Sequence, residues 1–234
     1  MSVLDPKADA QRAFDAMRSG GIAIMPMDVG YSLIGATPPT LKKIFATKRR
    51  APSKLNAMLG NDAIARALYR LDARGWEIFD AITKDYNLPL GAVAPYRVGH
   101  PIFANLDQPT IDASTKNGTL LMLVNAGHFH AAVTALSQAH EVSLFGSSAN
   151  LSMSGTKFDA AAIEPEIRAI ADVIVDYGLM KYHPWRASST ILNLATLEVV
   201  RFGSCYENLQ SILRRHFKTD LPESPWVLQA PVAR

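Results

Sequence analysis

Apolar residues recur at helical spacing in several stretches of the chain, and short unbroken apolar runs lie between them. Ala13, Phe14 and Met17 share one face of a helix predicted over residues 9–18, which Gly20 and Gly21 stop. Residues 22–26 follow as an apolar run of strand length. Thr37-Pro-Pro-Thr40 reads as a helix start, since proline suits a first turn, with Leu41, Ile44 and Phe45 facing inward through Thr47. Asn61 and Asp62 cap a helix to about Leu71, and residues 76–82 suggest another. Between Asp85 and Thr110, Pro89, Pro95, Pro101 and Pro109 with Gly91 and Gly99 leave room for short edge strands only.

Further along, residues 119–124 are a buried-strand run, and 128–138 return to helical spacing. Residues 142–145 read as a strand that ends in Gly146-Ser-Ser-Ala-Asn150. A helix precedes the apolar run 173–175, and 190–192 and 199–200 are candidate strands. Leu209, Ile212, Leu213 and Phe217 form an amphipathic stripe over 207–217. Strands alternating with helices predict an α/β fold with a mixed, twisted sheet. There is no internal repeat and no linker. One domain over residues 1–217 is expected, then a tail over 218–234 with Pro222, Pro225 and Pro231.

Composition narrows the class. Of 234 residues, 48% are apolar and 19% charged, which excludes a disordered or fibrous chain. The longest apolar run is far short of a membrane span, and the N-terminus shows no signal-peptide pattern, so a cytoplasmic protein is expected. Cys205, the lone cysteine, excludes an internal disulfide framework and is expected to be a buried, inert thiol. The net charge of +3 says little, but its distribution says more. No acid lies between Val29 and Asn61, a window that holds Lys42, Lys43, Lys48, Arg49, Arg50 and Lys54. From Ala113 to Phe158 the only acid is Glu141. If the two stretches face each other, they make a site for phosphates.

The candidate chemistry falls in the same stretches. Small residues over 146–155 let backbone amides approach a ligand, and Ser148 and Asn150 offer uncharged donors and acceptors on one side of an extended strand. Composition alone favours reading the same segment as a turn between strand and helix. Lys48 and Arg50, with Lys54 beyond a proline, supply a compact charge and a planar fork suited to phosphate. Ser189-Thr190 opens one strand and Arg201-Phe202-Gly203 closes another. His128 and His130 point apart on a helix with no carboxylate beside them, so no metal site is expected. Walker A, GxGxxG and GxSxG motifs are missing from the sequence.

Five of these segments, in order, resemble the YrdC family, whose best-known members are L-threonylcarbamoyladenylate synthases. Gly20–Pro26 with Asp28 and Tyr31 is similar to that family's opening strand and turn. Lys48-Arg49-Arg50 with Lys54 is similar to its K-x-R…K element, and Ser148-Ala149-Asn150 with Ser154-Gly155 to its S-A-N loop. Ser189-Thr190 and Arg201-Phe202-Gly203 are similar to its S-T strand and terminal R-x-G. The resemblance implies an open twisted mixed sheet with flanking helices and a concave basic face, on which ATP, with Mg²⁺, meets an amino acid. In the family, bicarbonate and threonine form a carbamate that attacks the α-phosphate of ATP; pyrophosphate leaves and the adenylate serves tRNA modification. By that resemblance Lys48 and Arg50 are catalytic, and Lys48, Arg50, Lys54, Ser148, Asn150 and Arg201 bind nucleotide or phosphate. Met27, Val29, Tyr31, Leu123, Ser189 and Thr190 are placed at the acceptor.

The departures point the other way at one end of the site. Met27 and Val29 replace threonines, Ser32 replaces a glycine, and Leu123 falls where the family carries an arginine for the amino-acid carboxylate. The implied function is a synthase of this type with altered acceptor specificity. Two alternatives stand beside it: a non-catalytic module for double-stranded RNA or tRNA, and a hydrolase or acyl-transfer enzyme for an apolar small molecule.

Overall fold

The computed structural model describes residues 4–49 and 54–225, and within them side-chain caps set several helix starts. Asp5 accepts from the Ala8 amide, so α1 (Pro6–Arg18) begins a turn before residue 9 and buries Ala10, Ala13, Phe14 and Met17. Thr37 and Thr40 form a capping box at α2 (Pro38–Thr47), which buries Leu41 and Ile44 and leaves Phe45 half-buried. Asn61 and Asp72 cap α3 (Asp62–Leu68) and α4 (Ala73–Asp80). The remaining α-helices of the described residues are α5 (Gln108–Asp112), α6 (His128–Ala139), α7 (Pro165–Arg168) and α8 (Tyr206–Phe217).

The strands are β1 (Ala23–Met27), β2 (Gly30–Gly35), β3 (Ala57–Leu59), β4 (Leu90–Pro95) and β5 (Thr115–Lys116). After them come β6 (Thr119–Val124), β7 (Phe145–Ser148), β8 (Val173–Ile174), β9 (Ile191–Asn193) and β10 (Val199–Arg201). They form one mixed sheet in the order β10-β9-β4-β6-β3-β7-β2-β1-β8, with β5 also paired to β6. The α/β fold with flanking helices is therefore as the alternation predicts. Register puts Phe145, Met58, Met122, Ala92 and Leu192 on one face, and all are buried. At the far end of the sheet, α1 packs on α6 and both lie against β1.

Two strand readings need correction. The proline-rich stretch holds no mere edge strand: β4 sits inside the sheet, antiparallel to β6 and parallel to β9. Its prolines permit this because Pro89 precedes the strand and Pro95 ends it, outside the three residues that pair with β9. The second is β7, which starts at Phe145 where the apolar run 142–145 predicts its end. Gly146 explains the shift: a Cβ there would lie 2.0 Å from the Leu33 carbonyl oxygen, so the glycine lets β7 close on β2. Gly146-Ser147-Ser148 is thus strand, and the turn begins only at Ala149.

The chain keeps packing past Phe217. Leu221 is buried, and the Pro222 carbonyl accepts from the Tyr206 hydroxyl and the Gln210 amide. Residues 226–234, with Pro231, lie outside the described residues. No helix of the described residues is long and apolar enough to cross a membrane.

His130 is a structural residue. Its Nε2–H donates to the Leu123 carbonyl at 3.0 Å, and burial lowers its pKa from 6.5 to about 4. Between those values the unfolded chain binds a proton that the folded chain refuses, so stability falls as pH drops from 6.5 to 4. The expected loss is about 3 kcal/mol, at about 1.36 kcal/mol per unit. Urea unfolding at pH 7.5, 6, 5 and 4 measures it, and His130→Asn should flatten the profile in this window.

Candidate functional site

Pairing across the sheet assembles the site. Ser32 lies opposite Ser148, Ile34 opposite Gly146, and Gly146 opposite Ala57. Leu59 lies opposite Leu123, Leu123 opposite Gly91, Gly91 opposite Ile191, and Ile191 opposite Arg201. Paired residues project to the same face, so these form a row on the face opposite Met58 and Met122. The row floors a cleft of about 200 Å³. Gly91 keeps the floor low, since a Cβ there would meet Ile191 Cγ1 at 2.8 Å.

The rim comes from loops. Lys48, at the C-cap of α2, is 2% exposed, and its Nζ donates to the carbonyls of Ser148 and Asn150. The Ser152 amide returns a bond to the Lys48 carbonyl at 3.2 Å. Lys48 thus fastens the loop after β7 and sets a positive charge directly beneath it. Glu164 holds the far side of this loop, accepting from Ser154 Oγ at 2.6 Å and Lys157 Nζ at 2.9 Å. Burial favours its neutral form, but the Ser154 and Lys157 bonds outweigh that and bring its pKa down to about 2.

Asn150 is 6% exposed, and its amide nitrogen is spent on the Leu151 carbonyl at 2.5 Å. Its Oδ1 is buried and has no hydrogen-bond partner among the described residues. That orientation does not suit a phosphate oxygen, the role expected of it, because Oδ1 only accepts; it suits an N–H or O–H of a ligand.

Arg201 closes the opposite end of the row. Its Nη2 and Nε donate to the Ser189 carbonyl at 2.6 and 3.2 Å, and the guanidinium remains exposed. Lys54 is exposed on the rim, its Nζ 3.4 Å from Met153 Sδ. A wider basin of about 720 Å³ adjoins the cleft, and both cavities share Lys54, Leu55, Leu121, Ile191 and Arg201. Two cations therefore flank the junction. Among the described residues, no carboxylate lines the inner cleft.

The sequence-predicted residues divide. Lys48, Lys54, Ser148, Asn150, Leu123, Ser189 and Arg201 come together around the cleft. Arg50 lies outside the described residues. Met27, Val29 and Tyr31 do not line the cleft and are buried in the core. Register explains Tyr31, which precedes the cleft-facing Ser32 and projects to the other face, where its hydroxyl donates to Asp176 and the Gly178 carbonyl. Thr190 is also buried, its Oγ1 donating to the Ser204 carbonyl at 3.0 Å, so it pins β9 to the turn before α8. Sequence reasoning missed Ser32, Ile34, Leu59, Leu121 and Ile191. Leu121 was recoverable from Leu123 by the two-residue period of a strand.

The implied Mg²⁺ fits this set poorly. The inner cleft offers hydroxyls, an amide and cations, and the adjoining basin one carboxylate, Glu198, whereas Mg²⁺ usually takes one or two protein carboxylates besides phosphate. No cluster of His, Cys, Asp or Glu suited to a metal occurs among the described residues. Cys205 is buried away from the cleft, and burial pushes its thiol up to about 11.

Comparison with known proteins agrees with this architecture. A hypothetical protein, smu.1377c from Streptococcus mutans, is 16% identical with a TM-score of 0.73, covering 89% of this chain and 92% of its own. Sua5 of P. abyssi complexed with L-threonine is 17% identical with a TM-score of 0.65, covering 82% of this chain and 52% of its own. HypF in a phosphate- and nucleotide-bound form is 13% identical with a TM-score of 0.64, covering 85% of this chain and 29% of its own. This chain thus spans about half of that Sua5 and under a third of HypF. At such identities the likeness establishes the fold. No curated protein sequence matches the chain. The Sua5/YciO/YrdC family, described as telomere recombination, matches residues 15–203, most of the chain, and the protein belongs to that family.

Proposed function

We propose that the cleft joins a nucleoside triphosphate to a small amine-bearing acid, making a carbamoyl-adenylate that passes on to tRNA modification. One observation carries the reading: a buried ammonium, Lys48, fastens a loop whose unpartnered Asn150 Oδ1 lines a cleft flanked by Lys54 and Arg201. In this arrangement the nucleoside takes the wider basin and its α-phosphate lies at the junction. Asn150 accepts an N–H from the acceptor, and Ser148 and Ser189 give hydroxyl contacts. Arg50 joins the phosphate-binding set by family likeness alone. The Sua5 structure with L-threonine and the nucleotide-bound HypF share this fold and support the reading.

The chemistry suits the residues present. A carbamate made from bicarbonate and an amine already carries its negative oxygen, so it attacks the α-phosphate and expels pyrophosphate without a protein base. Positioning and charge neutralisation are then the protein's work. Hydrolysis or acyl transfer fits less well. Among the described residues, no His, Cys, Asp or Glu lines the cleft to act as a general base.

Pyrophosphate release from ATP with bicarbonate and an amino-acid panel tests the proposal; no release with any amino acid contradicts it. Arg201→Gln should weaken ATP about 10- to 100-fold, the worth of a charge-assisted bond of roughly 1.5–3 kcal/mol. Lys48→Met leaves two loop carbonyls unsatisfied and should cost about 3 kcal/mol in urea unfolding. The exposed Lys54→Met should stay within about 0.5 kcal/mol.

A further inference from the structure

We propose that Met153 is a modification site: a peroxide oxidises its thioether ahead of the buried methionines, and the sulfoxide formed engages the Lys54 ammonium at the mouth of the cleft. The consequence for a phosphate ligand rests on the nucleotide reading given above.

Exposure singles the residue out. The chain has eight methionines, and Met1 lies outside the described residues. Met17, Met25, Met27, Met58, Met122 and Met180 are buried, whereas Met153 is 86% exposed. A thioether that fills core space is shielded from an aqueous oxidant, so oxidation should follow that contrast. The loop holds Met153 out. Its φ is +71°, in the left-handed region that bulky side chains seldom adopt. Both neighbours are anchored: the Ser152 amide donates to the Lys48 carbonyl at 3.2 Å, and Ser154 Oγ donates to the Glu164 carboxylate at 2.6 Å. Between these anchors Met153 stands in solvent and helps to line the cleft.

Lys54 gives the oxidation its effect. Its Nζ lies 3.4 Å from Met153 Sδ, and a thioether sulfur is a weak acceptor. In the reaction with a peroxide such as hydrogen peroxide, a sulfur lone pair attacks the O–O bond. One oxygen is transferred, the sulfide becomes a sulfoxide, and the other oxygen leaves as water. Reduction by two thiols returns the sulfide, with a disulfide and water as products. The S–O bond is strongly polar, and its oxygen accepts from an ammonium far better than sulfur does. Because the sulfur already lies beside Nζ, that oxygen meets it without a rearrangement of the loop. Lys54 lines both the inner cleft and the basin, so its bond to the sulfoxide competes with a bond to phosphate.

Three measurements on the whole chain test this. Peptide mass spectrometry after brief treatment with hydrogen peroxide should place one oxygen on Met153, with each of the six buried methionines about tenfold less modified. Labelling of the Lys54 amine by acetic anhydride should slow about threefold or more after oxidation, as expected for an ammonium held by a strong acceptor. In Met153→Leu the labelling should not respond to peroxide. Calorimetric titration should show ATP bound about 3- to 10-fold more weakly after oxidation, a part of what a whole charge-assisted bond contributes. Treatment with a methionine sulfoxide reductase and its thiol reductant should restore the affinity. If ATP does not bind the untreated chain, the nucleotide reading fails alone and the oxidation and labelling results decide the inference. Oxidation spread evenly over the buried methionines, or unchanged labelling of Lys54, overturns it. So does equal ATP affinity before and after oxidation where the untreated chain binds ATP.

Discussion

Lys48 carries a full charge into a position almost closed to water, where an ammonium persists only if its donors are matched. The carbonyls of Ser148 and Asn150 accept two of its three N–H groups. That one arrangement ties the end of α2 to the loop after β7, two parts of the chain about a hundred residues apart. It also orders the cleft. With the carbonyls turned toward the ammonium and the Asn150 amide held by Leu151, the Asn150 Oδ1 and the Ser148 position are left to the ligand side. Glu164 braces the same loop from behind with its charge already paired to Lys157, so the acid nearest the loop does not cancel the positive field of the cleft.

The sheet supplies the rest through register. Side chains alternate between faces, so one residue of slip would exchange the cleft floor for the core. Gly146 and Gly91 hold that register close by letting backbones and side chains approach where a Cβ would collide. The consequence is a division of labour by parity. Along β2, Ser32 and Ile34 face the cleft while Tyr31 and Leu33 are sealed inside; along β6, Leu121 and Leu123 face it while Leu120 and Met122 do not.

This parity explains what the sequence made legible. Helices with amphipathic stripes, such as α1, α6 and α8, stand where spacing predicts them, give or take a turn. β6 coincides with the predicted run at residues 119–124. The polar and charged site residues were visible because Ser148, Asn150, Lys48, Lys54 and Arg201 are unusual in their stretches. The apolar half was not. Buried strands are apolar on both faces, so Leu123 and Met122 look alike in sequence and only register separates cleft from core. β2 and β3 gave no signal as strands, which hid Ser32, Ile34 and Leu59. Met27 and Val29 drew attention as departures from a family pattern, yet both are buried in the core and neither lines the cleft. Proline content misled at β4, because what matters is where the prolines fall along the ladder.

The family assignment and the cleft are independent lines that meet: one is a match over residues 15–203, the other a set of side chains positioned by the sheet. The proposed function joins them: it puts a nucleotide's phosphates between Lys54 and Arg201, with the Lys48-fastened loop beside them. Methyl and backbone NMR during titration with ATP examines this directly. The account predicts shifts concentrated at Leu121, Ile191, Arg201 and the amides of Ser148 and Asn150. Shifts confined to the separate cavity between α2 and α5, at Leu41 and Thr110, or none at saturating ATP, would contradict it.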